Sequence, residues 1–240
     1  MLCRSALLLL ALPFALGAQS ASDLAAWNAL VVTPIGALPT GATDLFAGDS
    51  TRSSLSVRYG RWRYDQDDAI HNDAGVVLTR RISGTPTTVS VTLGYLSLSC
   101  GPCASWLSGG VDVETPVLRR QLNGHGDNGT VARVAVRLSA GGASFRGEGQ
   151  ASASTTAGTG ILGVTFPALM STHVALSLSA GVGAGQFSST DETAHGARPL
   201  AGGAVAWALP RGLVIDAGFQ RIIIAGGPTQ LGSSITWRAR

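Results

Sequence analysis

The sequence predicts an all-β protein whose strands close into an antiparallel, up-and-down barrel. In the last third of the chain, bulky apolar residues alternate with small or polar ones, as in residues 174–179 and 213–220. A period of two is the pattern of a half-buried strand, which has one apolar and one polar face. Gly and Pro lie between these segments, where turns are expected. Alternating segments repeated in this way are typical of a barrel.

Ten strands can be drawn from residue 53 onward, and most are close to the 9–11 residues that a tilted strand needs to cross a bilayer. Their predicted bounds are 53–64, 74–82, 87–98, 105–118, 130–142, 156–166, 172–185, 198–209, 212–223 and 229–239.

The connections alternate in length, with short turns on one side of the barrel and long loops on the other, which is typical of a transmembrane barrel. The short links are 83–86, 167–171 and 210–212. The long links are 65–73, 145–155 and 187–195. The link 121–130 is long on the short-turn side, so a count of eight strands stays open beside ten.

Residues 1–18 have the composition of a secretory signal peptide. Arg4 precedes an apolar run over residues 6–16, and small residues end the segment. The run is too short to span about 30 Å of hydrocarbon. Residues 19–52 contain turn-forming prolines and indicate an N-terminal periplasmic segment or a small plug. The predicted barrel is therefore 53–240.

The composition favours a barrel whose apolar face points outward at lipid. Charged residues make up 13% of the chain, about half the share in an ordinary soluble domain. All 17 basic residues are arginine, whereas soluble β-proteins commonly protect their surfaces with lysine. The alternative is a secreted soluble barrel that binds an apolar ligand inside. The net charge of +3 is small and unclustered, so nucleic acid is not an expected partner.

Isolated charges of both signs lie on the polar face of the predicted strands. An arginine at mid-bilayer would cost about 2–4 kcal/mol, so we expect these groups to point into the lumen and pair there. The predicted lumen charge network consists of Arg58, Arg81, Asp112, Glu114, Arg133, Arg137 and Asp216. We expect this network to stabilise the barrel and not to take part in catalysis.

Aromatic residues fall near the ends of predicted strands, where membrane barrels carry their aromatic girdles. They are Trp62, Tyr64, Tyr95, Trp106, Trp207 and Trp237. In this pattern, residues 53–240 resemble the small Gram-negative outer-membrane β-barrel proteins. The resemblance implies a location in the cell outer membrane. Such proteins often end in an aromatic residue, whereas this chain ends in Arg240.

Cys100 and Cys103 enclose Gly101-Pro102, a tetrapeptide also found in thioredoxin-like redox proteins. There the first cysteine opens a helix whose N-terminus lowers the thiol pKa. Here a Gly-rich predicted strand follows the tetrapeptide instead of a helix. The feature that would lower the thiol pKa is therefore missing, and a redox role is not favoured. We expect a disulfide at the tip of a hairpin loop in an oxidising compartment.

Two predicted loops are rich in ionisable groups and lie on the same side of the barrel. They contain Asp65, Asp67, Asp68, His71 and Asp73 in one loop and Asp191, Glu192 and His195 in the other. Omptin proteases, which are ten-stranded barrels, place paired Asp and Asp/His groups at that rim, and the resemblance implies an outer-membrane hydrolase as an alternative. Solvated loops that hold a divalent cation or contact lipopolysaccharide are the other interpretation.

The sequence therefore predicts an outer-membrane β-barrel with a structural, surface-interaction or narrow-pore role. We assign no catalytic residue, no metal ligand and no cofactor. Outer-membrane lipids are the expected partners, with lipopolysaccharide or a divalent cation at the loops. We expect a monomer. A barrel of this size normally fills its lumen with side chains, so a wide channel is not expected.

Overall fold

A computed structural model describes residues 53–63, 70–98, 105–123, 130–146, 154–171, 173–188, 193–223, 227 and 229–239. Ten antiparallel strands form one closed barrel in which each strand pairs with its sequence neighbours and the last returns to the first. The strands are β1 Ser53–Arg63, β2 Ile70–Arg81, β3 Thr88–Leu98, β4 Ser105–Asn123, β5 Thr130–Arg146, β6 Ser154–Leu169, β7 Val174–Ser188, β8 Thr193–Ala208, β9 Leu213–Ile222 and β10 Thr229–Ala239.

The predicted fold class is confirmed, and the strand count is ten rather than eight. The predicted signal peptide 1–18 and the N-terminal segment 19–52 lie outside the described residues. Within the described ranges, no helix has the length and apolar character needed to cross a membrane.

Several strands run further than the hydrophobic pattern predicts. β2 begins at Ile70 and β8 at Thr193, inside stretches that were predicted as loops. Alternation ends there, but backbone hydrogen bonding continues, with Ile70 opposite Arg63 and Thr193 opposite Ser188. A hydrogen-bonded ladder needs no apolar side chain, so the pattern marks the buried part of a strand rather than its full length.

The β4–β5 hairpin accounts for the long link on the short-turn side. β3 pairs with β4 only as far as Thr88 opposite Glu114. β4 and β5 continue together to Asn123 opposite Thr130, with register shifts after Pro116 and after Gln121. The hairpin therefore extends past the end of β3 at the rim that holds the short turns.

The short turns use the left-handed backbone conformation that glycine favours. Gly84 has φ 74° in the β2–β3 turn, and Gly212 has φ 79° in the β8–β9 turn. Arg211 also has positive φ, at 63°. The backbone N–H of Leu209 donates to the carbonyl of Leu213 across this turn at 2.8 Å. These turns are tight enough to join neighbouring antiparallel strands directly.

The outer and inner faces of the wall are the reverse of those of a soluble barrel. On β9, Ile215 and Phe219 are exposed on the outside, whereas Gln220 is buried inside. On β3, Leu93 is 69% exposed while the neighbouring Thr92 is 8% exposed. Most of the large apolar side chains therefore cover the exterior. The inner face is mainly polar or small, with Val77, Leu200, Val214 and Ile222 as buried apolar side chains among them.

Inward glycines let the wall curve closely between β6 and β9. A Cβ on Gly181 would lie 2.6 Å from the Leu162 carbonyl oxygen and 2.7 Å from the Gly163 Cα. A Cβ on Gly202 would lie 2.5 Å from the Phe219 carbonyl oxygen. Both obstacles are backbone atoms of the adjacent strand, so neither can move without displacing the hydrogen-bonded wall.

We predict that Gly181→Ala destabilises the barrel by about 1–3 kcal/mol, the usual effect of overpacking. Gly109→Ala is the matched control, because its Cβ would meet the Thr92 carbonyl oxygen at 3.4 Å and the Leu93 Cδ2 at 3.6 Å. Urea unfolding of protein refolded into liposomes measures the free energy of unfolding. Equal stability of the two variants would contradict the steric argument.

Candidate functional site

The inner face of the wall carries an ion pair between β4 and β5. Asp112 lies opposite Ser139, and Glu114 lies opposite Arg137. The Arg137 Nε donates to Oδ2 of Asp112, which is the inward residue next to its direct partner on β4. The same oxygen accepts a hydrogen bond from Ser139 Oγ at 2.5 Å. One carboxylate is therefore held by two donors on successive inward positions of β5.

This pair is shielded from solvent by the barrel wall. The side chains of Arg137 and Asp112 are only 10% and 12% exposed. Attraction between the two charges offsets the loss of their hydration when the geometry is good and further hydrogen bonds are made. Removing one partner leaves an uncompensated buried charge and typically destabilises a protein by about 3–5 kcal/mol. The hydrogen bond from Ser139 to Asp112 gives the pair support of this kind.

Glycines on neighbouring strands give the long arginine side chains space along the wall. Arg58 lies opposite Gly75, which in turn lies opposite Gly94. A Cβ on Gly75 would come within 3.3 Å of the Arg58 Nε, so the arginine lies across this glycine. Arg137 has Gly163 as its partner on β6. Arg58 and Arg137 thus each have a glycine beside them on one neighbouring strand.

Hydroxyl groups connect neighbouring strands around the remainder of the inner face. Ser56 Oγ and Thr236 Oγ1 are 2.7 Å apart across the β1–β10 pairing that closes the barrel. On β9 and β10, Ser234 Oγ donates to Asp216 Oδ2 at 2.5 Å. Thr79 Oγ1 and Ser90 Oγ are 2.8 Å apart between β2 and β3. These contacts are structural, because each satisfies polar groups that face the lumen.

The residues predicted for the lumen charge network are distributed around the barrel. Buried on the inner face are Arg58, Asp112, Glu114 and Arg137. Arg81 and Asp216 are half-buried, and the side chain of Arg133 is outside the described part of the chain. Asp112, Glu114 and Arg137 lie together between β4 and β5, while Asp216 lies on β9 beside β10.

The other predicted site residues lie where the structure gives no side-chain description. Cys100 and Cys103 are outside the described residues, as are Asp65, Asp67, Asp68, Asp191 and Glu192. His71, Asp73 and His195 belong to described strands, but their side chains are not described. Within the described ranges, no group of three or more His, Cys, Asp or Glu residues is arranged to hold a metal ion.

Three long polar side chains that are buried on the inner face were missing from the predicted network. They are Arg198, Gln220 and Gln230, which are 7%, 6% and 1% exposed. The Arg198 Nη1 donates to the Ala197 carbonyl at 2.9 Å. Trp207 is exposed on the outer face of β8, so the odd-numbered residues of this strand point outward and the even-numbered ones inward. Alternation therefore places Arg198 on the inner face. It was overlooked because residue 198 is the first of its predicted strand, where alternation is hardest to read.

Comparison with known proteins finds structural matches only. No protein-family model and no curated protein sequence matches the chain. The chain is similar to the translocator domain of the autotransporter NalP from Neisseria meningitidis, with 13% identity, 91% of this chain and 97% of that chain covered, and a TM-score of 0.42. An outer membrane channel from Pseudomonas putida F1 matches at 12% identity over 80% of this chain and 98% of that chain, with a TM-score of 0.42.

The N-terminal β-barrel domain of OprF from Pseudomonas aeruginosa also matches, at 8% identity. The match covers 79% of this chain and 100% of that chain, with a TM-score of 0.33. Similarity at this level assigns no role to the chain.

We predict that the β4–β5 ion pair is strongly coupled in a double-mutant cycle. Asp112→Ala and Arg137→Ala should each destabilise the barrel by about 3–5 kcal/mol, and the double variant by less than their sum. Urea unfolding in liposomes gives the four free energies. Combining Arg137→Ala with Ser56→Ala is the control, because Ser56 bonds Thr236 on β10 instead. Additive effects of Asp112→Ala and Arg137→Ala would contradict the coupling.

Proposed function

We propose that the protein is an outer-membrane β-barrel with a structural or surface-interacting role. The observation that carries the proposal is the distribution of side chains between the two faces of the wall. Leu107, Leu93 and Leu178 are 71%, 69% and 63% exposed on the outside. Large exposed apolar surfaces mark membrane or protein contacts, and only closed barrels and helices satisfy every backbone polar group inside a bilayer.

Two levels of aromatic residues on the exterior support a membrane-spanning position. Trp207 and Trp237 lie next to the ends of β8 and β10 at the short-turn rim, and they are 43% and 53% exposed. Tyr59 and Tyr95 lie toward the opposite rim on β1 and β3, at 50% and 48% exposed. Aromatic side chains at two separated levels fit the two interfaces of one bilayer.

The number of strands and the inward side chains favour a structural role over a wide channel. Barrels of about 8 strands are just wide enough for side chains to fill them, whereas those of about 16–18 strands leave an aqueous channel. With ten strands, this barrel is closer in size to the 8-stranded barrels than to those with an aqueous channel. Arg58 and the Asp112–Arg137 pair occupy the inside of the wall between β1 and β5. Under this proposal the protein is a monomer, with membrane lipid as its partner.

A narrow pore is the second candidate, and the balance of inward charge favours it. Among the described side chains, the buried inner face carries Arg58, Arg137 and Arg198 against Asp112 and Glu114. Excess positive charge in a low-dielectric lumen attracts anions. A narrow path past these groups would therefore pass small anions in preference to cations.

The proposal also covers segments outside the described residues. Residues 1–18 would direct export across the inner membrane, and a Cys100–Cys103 disulfide would close the loop between β3 and β4. An outer-membrane hydrolase or a cation site would need the acidic residues of the two long loops to lie close together. Those side chains are outside the described part of the chain.

We predict that Val57→Arg prevents stable insertion. Val57 is 60% exposed at the middle of β1, between Ile235 and Val76 on the neighbouring strands. An arginine on the lipid face near mid-bilayer should destabilise the barrel by about 2–4 kcal/mol. Refolding into liposomes, followed by urea unfolding and by the heat-induced shift in gel mobility, measures the effect.

Ile82→Arg is the control, because Ile82 is 46% exposed in the β2–β3 turn at the rim. It should destabilise the barrel by about 0–1 kcal/mol. If the exterior instead faced water, both variants would fold alike and the protein would stay soluble without detergent. That outcome would remove the membrane proposal and favour the soluble barrel.

We predict that planar-bilayer recordings of the pure, refolded protein show no large conductance steps, because side chains occupy the lumen. The narrow-pore candidate predicts small anion-selective steps, whose anion preference falls in Arg198→Gln. Large steps in the unmodified protein would contradict a filled lumen.

A further inference from the structure

At the short-turn rim, inward side chains of β7, β8 and β9 are completely buried although they lie near the mouth of the barrel. Ala175 is the second residue of β7, Val214 is the second of β9, and Ala206 lies near the end of β8. All three are 0% exposed. An inward side chain at an open mouth contacts water, so this burial indicates that other atoms lie over the inner face here.

The side chains of this part of the wall are too short to cover one another. Ala206 lies opposite Ala175, and Ser177 lies opposite Ala204 at the next inward position. On β9, Gly218 lies opposite Ala204. We call Ala175, Ser177, Ala204 and Ala206 the small-residue surface. Whatever covers it has to approach from the lumen.

Two charged groups of the inner face are engaged with strands other than β7. Arg137 on β5 bonds Asp112 on β4. Asp216 on β9 accepts a hydrogen bond from Ser234 on β10. Each contact turns the charged group toward a strand that is further from the small-residue surface. A different part of the chain is therefore the better candidate for the cover.

Two buried hydroxyl groups at this place have no hydrogen-bond partner within the described part of the chain. They are Thr165 Oγ1 on β6 and Ser177 Oγ on β7, and each residue is 1% exposed. Thr165 lies opposite Ser179, the inward residue next to Ser177. The large majority of buried polar side-chain atoms in proteins are hydrogen-bonded. These hydroxyl groups therefore indicate that the cover has polar groups of its own.

We propose that residues 19–52 enter the lumen from the short-turn rim and cover the small-residue surface as an internal plug. β1 begins at Ser53, which lies opposite Arg80 on β2 and Ala239 on β10, so the preceding chain starts at this rim. The longest strand, β4, has 19 residues. Residues 19–52 are more numerous, so the segment is long enough to reach across the lumen.

The composition of the segment matches the surface. Leu24, Trp27 and Leu30 are apolar residues that can pack against the inward alanines and Val214. Backbone N–H and C=O groups of the segment can bond the hydroxyl groups of β6 and β7, which a hydrocarbon chain cannot do. The inference concerns the inside of the wall and holds whether the exterior faces lipid or water, so it does not depend on the proposed function.

Engineered disulfides test the proximity of the segment to the surface in the full mature chain. In a Cys100→Ser/Cys103→Ser background, Ser177→Cys is combined with one further cysteine in the segment. The protein is refolded in detergent micelles and mildly oxidised, and intramolecular disulfides are located by mass spectrometry of its peptides. At least one pair should be oxidised in most molecules. The positions for the further cysteine are Ala25, Ala29, Ala37, Ala42 and Ala47.

The matched control replaces Ser177→Cys by Leu178→Cys, because Leu178 is the next residue of β7 and is 63% exposed on the outer face. It should form no disulfide with the segment. The proposal is overturned if no pair with Ser177→Cys is oxidised, or if Leu178→Cys is oxidised equally well.

Chymotrypsin gives an independent measurement, because it cleaves after Trp27 and Phe46 in the segment. Cleavage there should be at least about tenfold slower in the folded protein than in the heat-unfolded chain, since cleavage follows the population of the accessible state. Ala206→Trp fills the small-residue surface and should restore fast cleavage. Val205→Trp, at the neighbouring outward position, should not.

The heat-induced gel shift shows for each variant that the barrel is intact, so displacement of the segment is distinguished from failure to fold. Cleavage of the folded, unmodified protein as fast as that of the unfolded chain would place the segment outside the barrel and overturn the proposal.

Discussion

The pairing of β1 with β10 is the constraint on which the rest of the structure depends. Ser53 to Arg63 meet Ala239 to Thr229 without a gap, so the sheet has no free edge within the wall. Closure pairs the backbone groups along this seam, which is the condition that a bilayer would impose on a wall of strands, because each unpaired group in hydrocarbon costs several kcal/mol. With the ladder closed, each strand is free to place apolar side chains outside and polar ones inside.

Closure also determines what the lumen can contain. A ten-stranded wall is strongly curved, so inward side chains converge while outward ones diverge. The chain meets this convergence with glycines at positions such as Gly181 and Gly202, where a Cβ would strike the next strand. Long polar side chains then occupy the space, and Asp112 links Arg137 with Ser139. The inward glycines and the inward polar side chains both lie on the concave face of this curved wall.

The sequence predicts the fold well because period-two alternation reports directly on the two faces of a strand. β10 runs over residues 229–239, as predicted. The ends of β2 and β8 were missed because alternation stops while backbone pairing continues. Alternation also places Asp112 and Arg137 on the same face. Alternation cannot show that Asp112 and Arg137 form an ion pair. That contact depends on the register of β4 against β5 and on Arg137 reaching past its direct partner to the next inward position of β4.

Past the end of β3, one edge of β4 has no partner from β3. An unpaired strand edge is a site where a strand of another molecule can add. Pro116 has no backbone N–H to donate, and a register shift follows it in the pairing of β4 with β5. Val117 and Leu118, side by side and both exposed, would otherwise make this edge adhesive. Proline and a register shift both make an exposed strand edge a poorer template for pairing with another chain.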